Sequence, residues 1–242
     1  MQFTDSVSEN TPIMIPKTYK VYHSYGVICF SKDHKWVLLV SKKSSYGLND
    51  ANKILSSTNN NVLKAFTSDI IDRLYLYEKD NLRNCMLPCM QNLSINEINE
   101  IRRRVSNSTK FCKQIIEMPK GHKKKYDDET TAALRELKEE TSIDSHNIRR
   151  IDDNIYETCI VDNGVKYVCR CIAVEYLGEV CNNTSLHSCE TYHEVSSIYW
   201  MPIEKIRMYM KHNSVGNHPH INYTYMNYKF ILDTLNVLPR SH

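Results

Sequence analysis

Residues Glu117–Ile143 read EMPKGHKKKYDDETTAALRELKEETSI, and the rest of the chain is best read outward from them. The pattern from Asp128 to Thr141 predicts a helix. At about 100° per residue, Glu136 and Glu140 lie about 40° apart, and Glu139 falls about 60° to the other side of Glu136. Three carboxylates therefore share one stripe. Ala133, Leu134 and Leu137 take the opposite side, where they can bury against a sheet. Like charges at this spacing destabilise an isolated helix, and a divalent cation would neutralise them. Hard oxygen donors suit Mg²⁺ or Mn²⁺. Such an ion binds phosphate oxygens and acidifies a bound water. The competing reading is a solvated acidic face paired with Lys138 and Arg135. The preceding loop counts against it. Pro119-Lys120-Gly121 and then His122-Lys123-Lys124-Lys125 set cations for a polyphosphate beside carboxylates for its metals.

Upstream, residues 24–41 read SYGVICFSKDHKWVLLVS. Apolar runs at Val27–Phe30 and Trp36–Val40 flank a turn-like Ser31–Lys35, which predicts strand, turn, strand. Residues 49–116 change character, with Val62, Phe66, Ile70, Ile71 and Leu74 at helical spacing. Ser94 with Glu97 three residues on is a capping-box start. This stretch reads as a helical insert of two or three helices. Downstream, Tyr156–Val161 and Val165–Val174 predict a hairpin across Asp162-Asn163-Gly164. Ile198–Met201 reads as a short strand, Pro202 as the first position of a helix to about Met210, and Ile221–Leu238 as an amphipathic helix. Residues 1–48 and 115–242 then form one α+β unit, interrupted by the insert at 49–114.

Among 242 residues, 41% are hydrophobic and 24% charged, an ordinary globular composition. The net charge of +3 is too small to announce a nucleic-acid binder by itself. Residues 49–116 hold ten Lys/Arg and seven Asp/Glu, so the excess lies in the insert. No apolar run approaches the roughly 18 residues of a membrane helix, and the first twenty residues lack a secretory signal's apolar stretch. No membrane partner is expected. Nine scattered Cys fit reduced thiols in a cytosol. The Asn-x-Ser/Thr triplets are then expected to carry no sugar. Cys85-x3-Cys89 and His218-Pro-His220 have no partner pairs at zinc spacing.

The segment resembles the box of the Nudix hydrolases: Gly121, five residues, an acid at Asp127, seven residues, then Arg135-Glu136-Leu137-Lys138-Glu139-Glu140-Thr141-Ser142-Ile143. Two positions depart from it. Asp127 replaces the first Glu, and Ser142 replaces a Gly, so the helix must end without glycine's easy left-handed conformation. The resemblance implies a Nudix α/β/α sandwich carrying the helical insertion. It implies that Glu136 and Glu140 are principal ligands of Mg²⁺ or Mn²⁺. Glu139 would bind a second ion or support a water, and Arg135 would orient carboxylates. The Pro-Lys-Gly lead-in is similar to that of decapping and diphosphoinositol polyphosphate hydrolases, where the Lys matching Lys120 reaches a substrate phosphate. Residues 193–206, HEVSSIYWMPIEKI, look like a decapping-enzyme segment in which Glu194 matches a distant metal-site or base carboxylate, with Glu190 its nearby competitor. The layout is closest to the viral mRNA-decapping Nudix enzymes of poxviruses and African swine fever virus.

That resemblance implies cleavage of the mRNA 5′ cap into 7-methylguanosine diphosphate and 5′-monophosphate RNA, with mRNA turnover and host shutoff as the outcome in the host cytoplasm. Lys120 and Lys123 would contact phosphates. Tyr25 and Tyr46 are the candidates for stacking on the cationic methylguanine. Arg102, Arg103 and Arg104 would track the RNA backbone. Two alternatives stand beside this reading: a hydrolase of diphosphoinositol or dinucleoside polyphosphates, and a non-catalytic RNA-binding protein. The sequence leaves the oligomeric state open.

Overall fold

The computed structural model describes residues 20–57, 61–162, 165–180, 194–213 and 223–239. Along the chain come β1 (Lys20–Ser31), β2 (Trp36–Lys42), α1 (Tyr46–Leu55), α2 (Val62–Ala65), α3 (Ser68–Asp72), α4 (Leu76–Asn84) and α5 (Ile95–Asn107). Then follow β3 (Ile116–Glu117), β4 (Lys120–Gly121), α6 (Glu129–Thr141), β5 (Ile148–Arg150), β6 (Tyr156–Asp162), β7 (Val165–Tyr176), β8 (Val195–Pro202), α7 (Ile203–His212) and α8 (Tyr223–Val237). Glu190, His218, His220 and the Asn163-Gly164 turn lie outside the described residues.

The apolar runs in β1 and β2 are continuous rather than alternating because both faces of their sheet are covered. β1 runs parallel to β7 in unbroken register from Lys20↔Val165 to Ser31↔Tyr176. β7 also pairs antiparallel with β6 and β5, and β2 with β8 and β3, giving a mixed sheet. On one face, Val27, Cys29, Leu38, Val40, Ile172 and Val174 pack with Ala132, Ala133 and Leu137 of α6. On the other, Ile28, Phe30, Val37, Leu39 and Ala173 pack with Ile206 of α7 and Tyr228 and Ile231 of α8. The result is the expected α/β/α sandwich, and β1 and β2 supply its spine.

The insert differs from the expected two or three helices. Five form among the described residues, and α1 already begins at Tyr46, ahead of the expected start at 49. The apolar spacing over Val62–Leu74 reads as one helix, but Phe66 turns to φ −80°, ψ 82° and splits it into α2 and α3. The buried Phe66 joins Leu74, Leu82, Met90 and Ile101 in a third core that belongs to the insert alone. The Ser94 capping box is present, with Glu97 N donating to Ser94 Oγ at 3.3 Å and Ser94 N to Glu97 Oε2 at 2.9 Å.

The insert is clamped where it leaves and rejoins the sheet. Buried Glu78 accepts from Ser45 N at 2.8 Å, Ser45 Oγ at 2.5 Å and Tyr75 N at 2.8 Å. Lys42 N donates to Ile115 O at 3.0 Å, and Cys112 N to Leu74 O at 2.8 Å.

α6 starts with Asp128 Oδ1 accepting from Thr131 N at 2.6 Å. It ends on Ser142 at φ 61°, ψ 10°, the left-handed conformation that the sequence requires of a non-glycine residue. Ser142→Gly removes that strain. Its urea unfolding midpoint should rise, corresponding to a gain of about 0.5–1 kcal/mol. An unchanged or lowered midpoint would show that no strain resides there.

Candidate active site

Side-chain alternation places the first member of the site. Leu38 and Val40 of β2 face α6, so Lys42, two residues further, extends from the same face. Its Nζ lies 3.0 Å from Glu140 Oε1, 3.4 Å from Glu117 Oε1 and 3.7 Å from Glu194 Oε2. Glu117 sits opposite Val40 on β3. Its Oε2 accepts from Lys120 Nζ and, at 3.2 Å, from the Tyr46 hydroxyl at the start of α1. Glu140 Oε2 accepts from the Lys120 backbone N at 3.1 Å. Glu117 Oε1 has no hydrogen-bond partner and is held only by the charge of Lys42.

Burial and charge oppose one another here. Burial alone would push Glu117 up, but Lys120 and Lys42 overcome it and hold the carboxyl below its ordinary value. Glu140 goes the other way. Its burial and the nearby Glu117 outweigh Lys42, and its pKa rises to about 7. Lys42 and Lys120 lose solvation too, yet the attraction of Glu117, with Glu140 adding to it at Lys42, raises both. Tyr46 is pushed up to about 12 by burial and by Glu117.

A second group lies along the outer side of α6. Arg135 Nη1 donates to Glu136 Oε1 at 2.6 Å and Glu139 Oε2 at 2.9 Å, Nε to Asp127 Oδ2 at 3.2 Å, and Nη2 to His122 O at 2.7 Å. One guanidinium thus ties the basic loop to the acidic stripe. Lys124 adds a contact to Glu139 at 3.2 Å. Gly121 lets this happen: a Cβ there would stand 2.3 Å from the Glu136 carboxylate.

Glu140 and Glu194 meet around Lys42, while Glu136, Glu139 and Asp127 gather on Arg135. Lys120 is turned inward onto Glu117 rather than outward, and Lys123 is exposed in the loop. Two of the expected contacts need correction. Tyr25 is only 9% exposed within the α6-side core, so its ring is nearly enclosed and unsuited to stacking on a ligand. Arg104 donates to Glu100 and to the carbonyls of Leu63 and Phe66, which makes it a strut between α5 and α2. Arg102 reaches Cys85 O at 3.4 Å. Arg103 pairs with Glu100 through both Nε and Nη2 but remains largely exposed. Tyr46 is enclosed against Glu117 and serves that carboxylate directly.

A NUDIX domain model matches residues 101–221, half of the chain. The chain belongs to the Nudix family. No curated protein matches it significantly. Among solved structures, a binary complex of a C. elegans Ap4A hydrolase is 12% identical at TM-score 0.42, covering 88% of this chain and 97% of that one. A NUDIX hydrolase from Nitrosomonas europaea is 12% identical at TM-score 0.42, covering 92% and 98%.

Nudix hydrolases generally use divalent ions such as Mg²⁺ or Mn²⁺. The donors fit: Glu136, Glu139 and Glu140 offer hard carboxylate oxygens along one helix, and the buried Glu117 Oε1 lacks a hydrogen bond. Among the described residues no three such side chains form a group that could hold a metal ion; Glu136 and Glu139 are paired to Arg135, and Glu140 to Lys42.

Two results are expected. Gly121→Ala should displace the Glu136 carboxylate and lower kcat by at least about tenfold. Because the displaced atoms end a flexible side chain, the melting temperature should stay close to that of the wild type. A variant that is fully active, or unfolded, contradicts this role for Gly121. The second result concerns pH. Glu140 rises from an ordinary 4.5 to about 7, so it binds its proton more tightly when folded. Stability of the chelator-treated protein should therefore fall as pH rises from about 5 to 7.5, by up to about 3 kcal/mol from this group. Urea titrations at both pH values should show a smaller fall in Glu140→Gln. An equal fall would place the titration elsewhere.

Proposed function

We propose that this Nudix hydrolase cleaves the 5′ cap of mRNA, releasing 7-methylguanosine diphosphate and RNA with a 5′ monophosphate. The supporting observation is the attachment of the insert. Its first helix delivers Tyr46 to Glu117, and its two ends are hydrogen-bonded beside Lys42. A body of five helices with an excess of positive charge is thus attached beside the Lys42–Glu117–Glu140 cluster. A polyanion longer than the scissile diphosphate can use such a surface, whereas a small pyrophosphate has no need of it. Arg103, exposed on α5, remains suited to the RNA backbone.

In this reading Glu136, Glu139 and Glu140 would hold the divalent ions, which supply charge for the phosphate oxygens and an acidified water. The chain's own groups do the rest. Arg135 keeps Glu136 and Glu139 together, and Lys42 and Lys120 keep Glu140 and Glu117 in place. Glu194, 80% exposed at the edge of the cluster, would take a proton from the attacking water. Lys123 and its neighbours face solvent in the loop before α6, where they would offset charge developing on the phosphates. Capped message as substrate also makes the cytoplasm the proposed place of action.

Cap-labelled RNA with Mg²⁺ or Mn²⁺ tests the proposal. Glu140→Gln should reduce release of 7-methylguanosine diphosphate by about 10²-fold or more, and long uncapped RNA should compete. Cleavage of diphosphoinositol polyphosphates or dinucleoside polyphosphates with capped RNA untouched would replace this substrate by a small one. RNA binding without metal-dependent turnover would leave a binding protein instead.

A further inference from the structure

Lys42 is the feature that neither the helix pattern nor the box accounts for. Its side chain is 13% exposed, and the carboxylates around it come from three elements: Glu140 from α6, Glu117 from β3 and Glu194 from just before β8. The other groups facing it are the Lys120 ammonium, already paired to Glu117, and the Tyr46 hydroxyl, which donates to the same carboxylate. Its backbone is fixed on both sides, by pairing with Val195 and by the bond from Lys42 N to Ile115 O. What holds the ammonium itself is the set of three carboxylates within 4 Å of it. It holds one oxygen of Glu140, and the second is held by the Lys120 backbone N.

We infer that Lys42 is a resident counter-ion that competes with the divalent metal for Glu140 and so sets the concentration at which the site loads. The inference rests on the metal-dependent Nudix reading and is independent of the choice of capped RNA. In the absence of metal, Lys42 gives the buried Glu140 its counter-charge and shares Glu117 with Lys120. When a dication approaches Glu140, the ammonium repels it across a few ångströms of poorly screened space. The arrangement trades affinity for a site that does not collapse when empty. Lys42 is thus a positioning residue: it acts on the substrate only through Glu140 and Glu117.

The test is a Mn²⁺ titration of the full-length, chelator-stripped protein without substrate, with free Mn²⁺ read by electron paramagnetic resonance. Lys42→Met should bind Mn²⁺ at least about tenfold more tightly than the wild type, while Lys42→Arg, which keeps the charge, should stay within about threefold. Equal or weaker binding by Lys42→Met overturns the inference. A wild-type measurement covers a Lys42→Met protein that fails to fold. Acetylation of Lys42 by an N-hydroxysuccinimide ester, followed by peptide mass spectrometry, should be several-fold faster with saturating Mn²⁺ than without. An unchanged rate overturns the inference as well. Wild-type protein that binds no Mn²⁺ sinks the metal-dependent reading itself, whereas binding that ignores Lys42 sinks only the competition.

Discussion

Lys42 Nζ stands 3.0 Å from one carboxylate and 3.4 Å from another in a space nearly closed to water, and most of the fold serves to keep it there. Each partner arrives by a different route. β2 carries the lysine, β3 sets Glu117 beside it, and α6 lowers Glu140 onto both once Ala133 and Leu137 are seated on the sheet. An unpaired charge in such a place would be strongly destabilising. The cluster is therefore tolerable only when all of its elements are docked. The apolar cores and the ionic site are in this sense one construction, with the two sheet faces providing the burial that makes the charges matter.

How much of this was legible beforehand follows from the range of each interaction. α6 depends on near neighbours: its cap at Asp128, its apolar side and its left-handed end at Ser142 all lie within one short segment. The Arg135 network is nearly as local, spanning His122 to Glu139. Lys42 is different, since 98 residues separate it from Glu140. The alternation of β2 would have placed it on the α6 side, but nothing in the sequence says which carboxylate waits there. Glu117 was hidden for the same reason, looking like an ordinary residue ahead of Pro119. The insert misled in another way. Helical spacing persists across Phe66 although the backbone does not, and the basic run at 102–104 conceals that Arg104 is consumed by carbonyls of α2 and its C-terminal residue.

The two acidic groups also divide the labour of the site. Glu136 and Glu139 answer to Arg135 at the rim, where solvent and the lysine loop are close. Glu140 and Glu117 answer to Lys42 and Lys120 inside. Glu139, half exposed at the rim, is free to reorient, whereas Glu136 is held over Gly121 and the inner pair is tied to the sheet. Chemistry that needs both adaptable and fixed carboxylates is well served by such a split.

The insert leaves the sheet after Lys42 and returns at Ile115, and those residues are joined by a single 3.0 Å hydrogen bond. The ring so formed closes on a strand pairing that the sheet makes in any case. The entropy of bringing distant chain ends together depends only weakly on how many residues lie between them. An excursion of this length therefore adds little to the conformational demand on the host. Beyond α1 and α4, which hold Tyr46 and Ser45 in place, the rest of the appendage can vary in length while the strands beneath it keep their pairing.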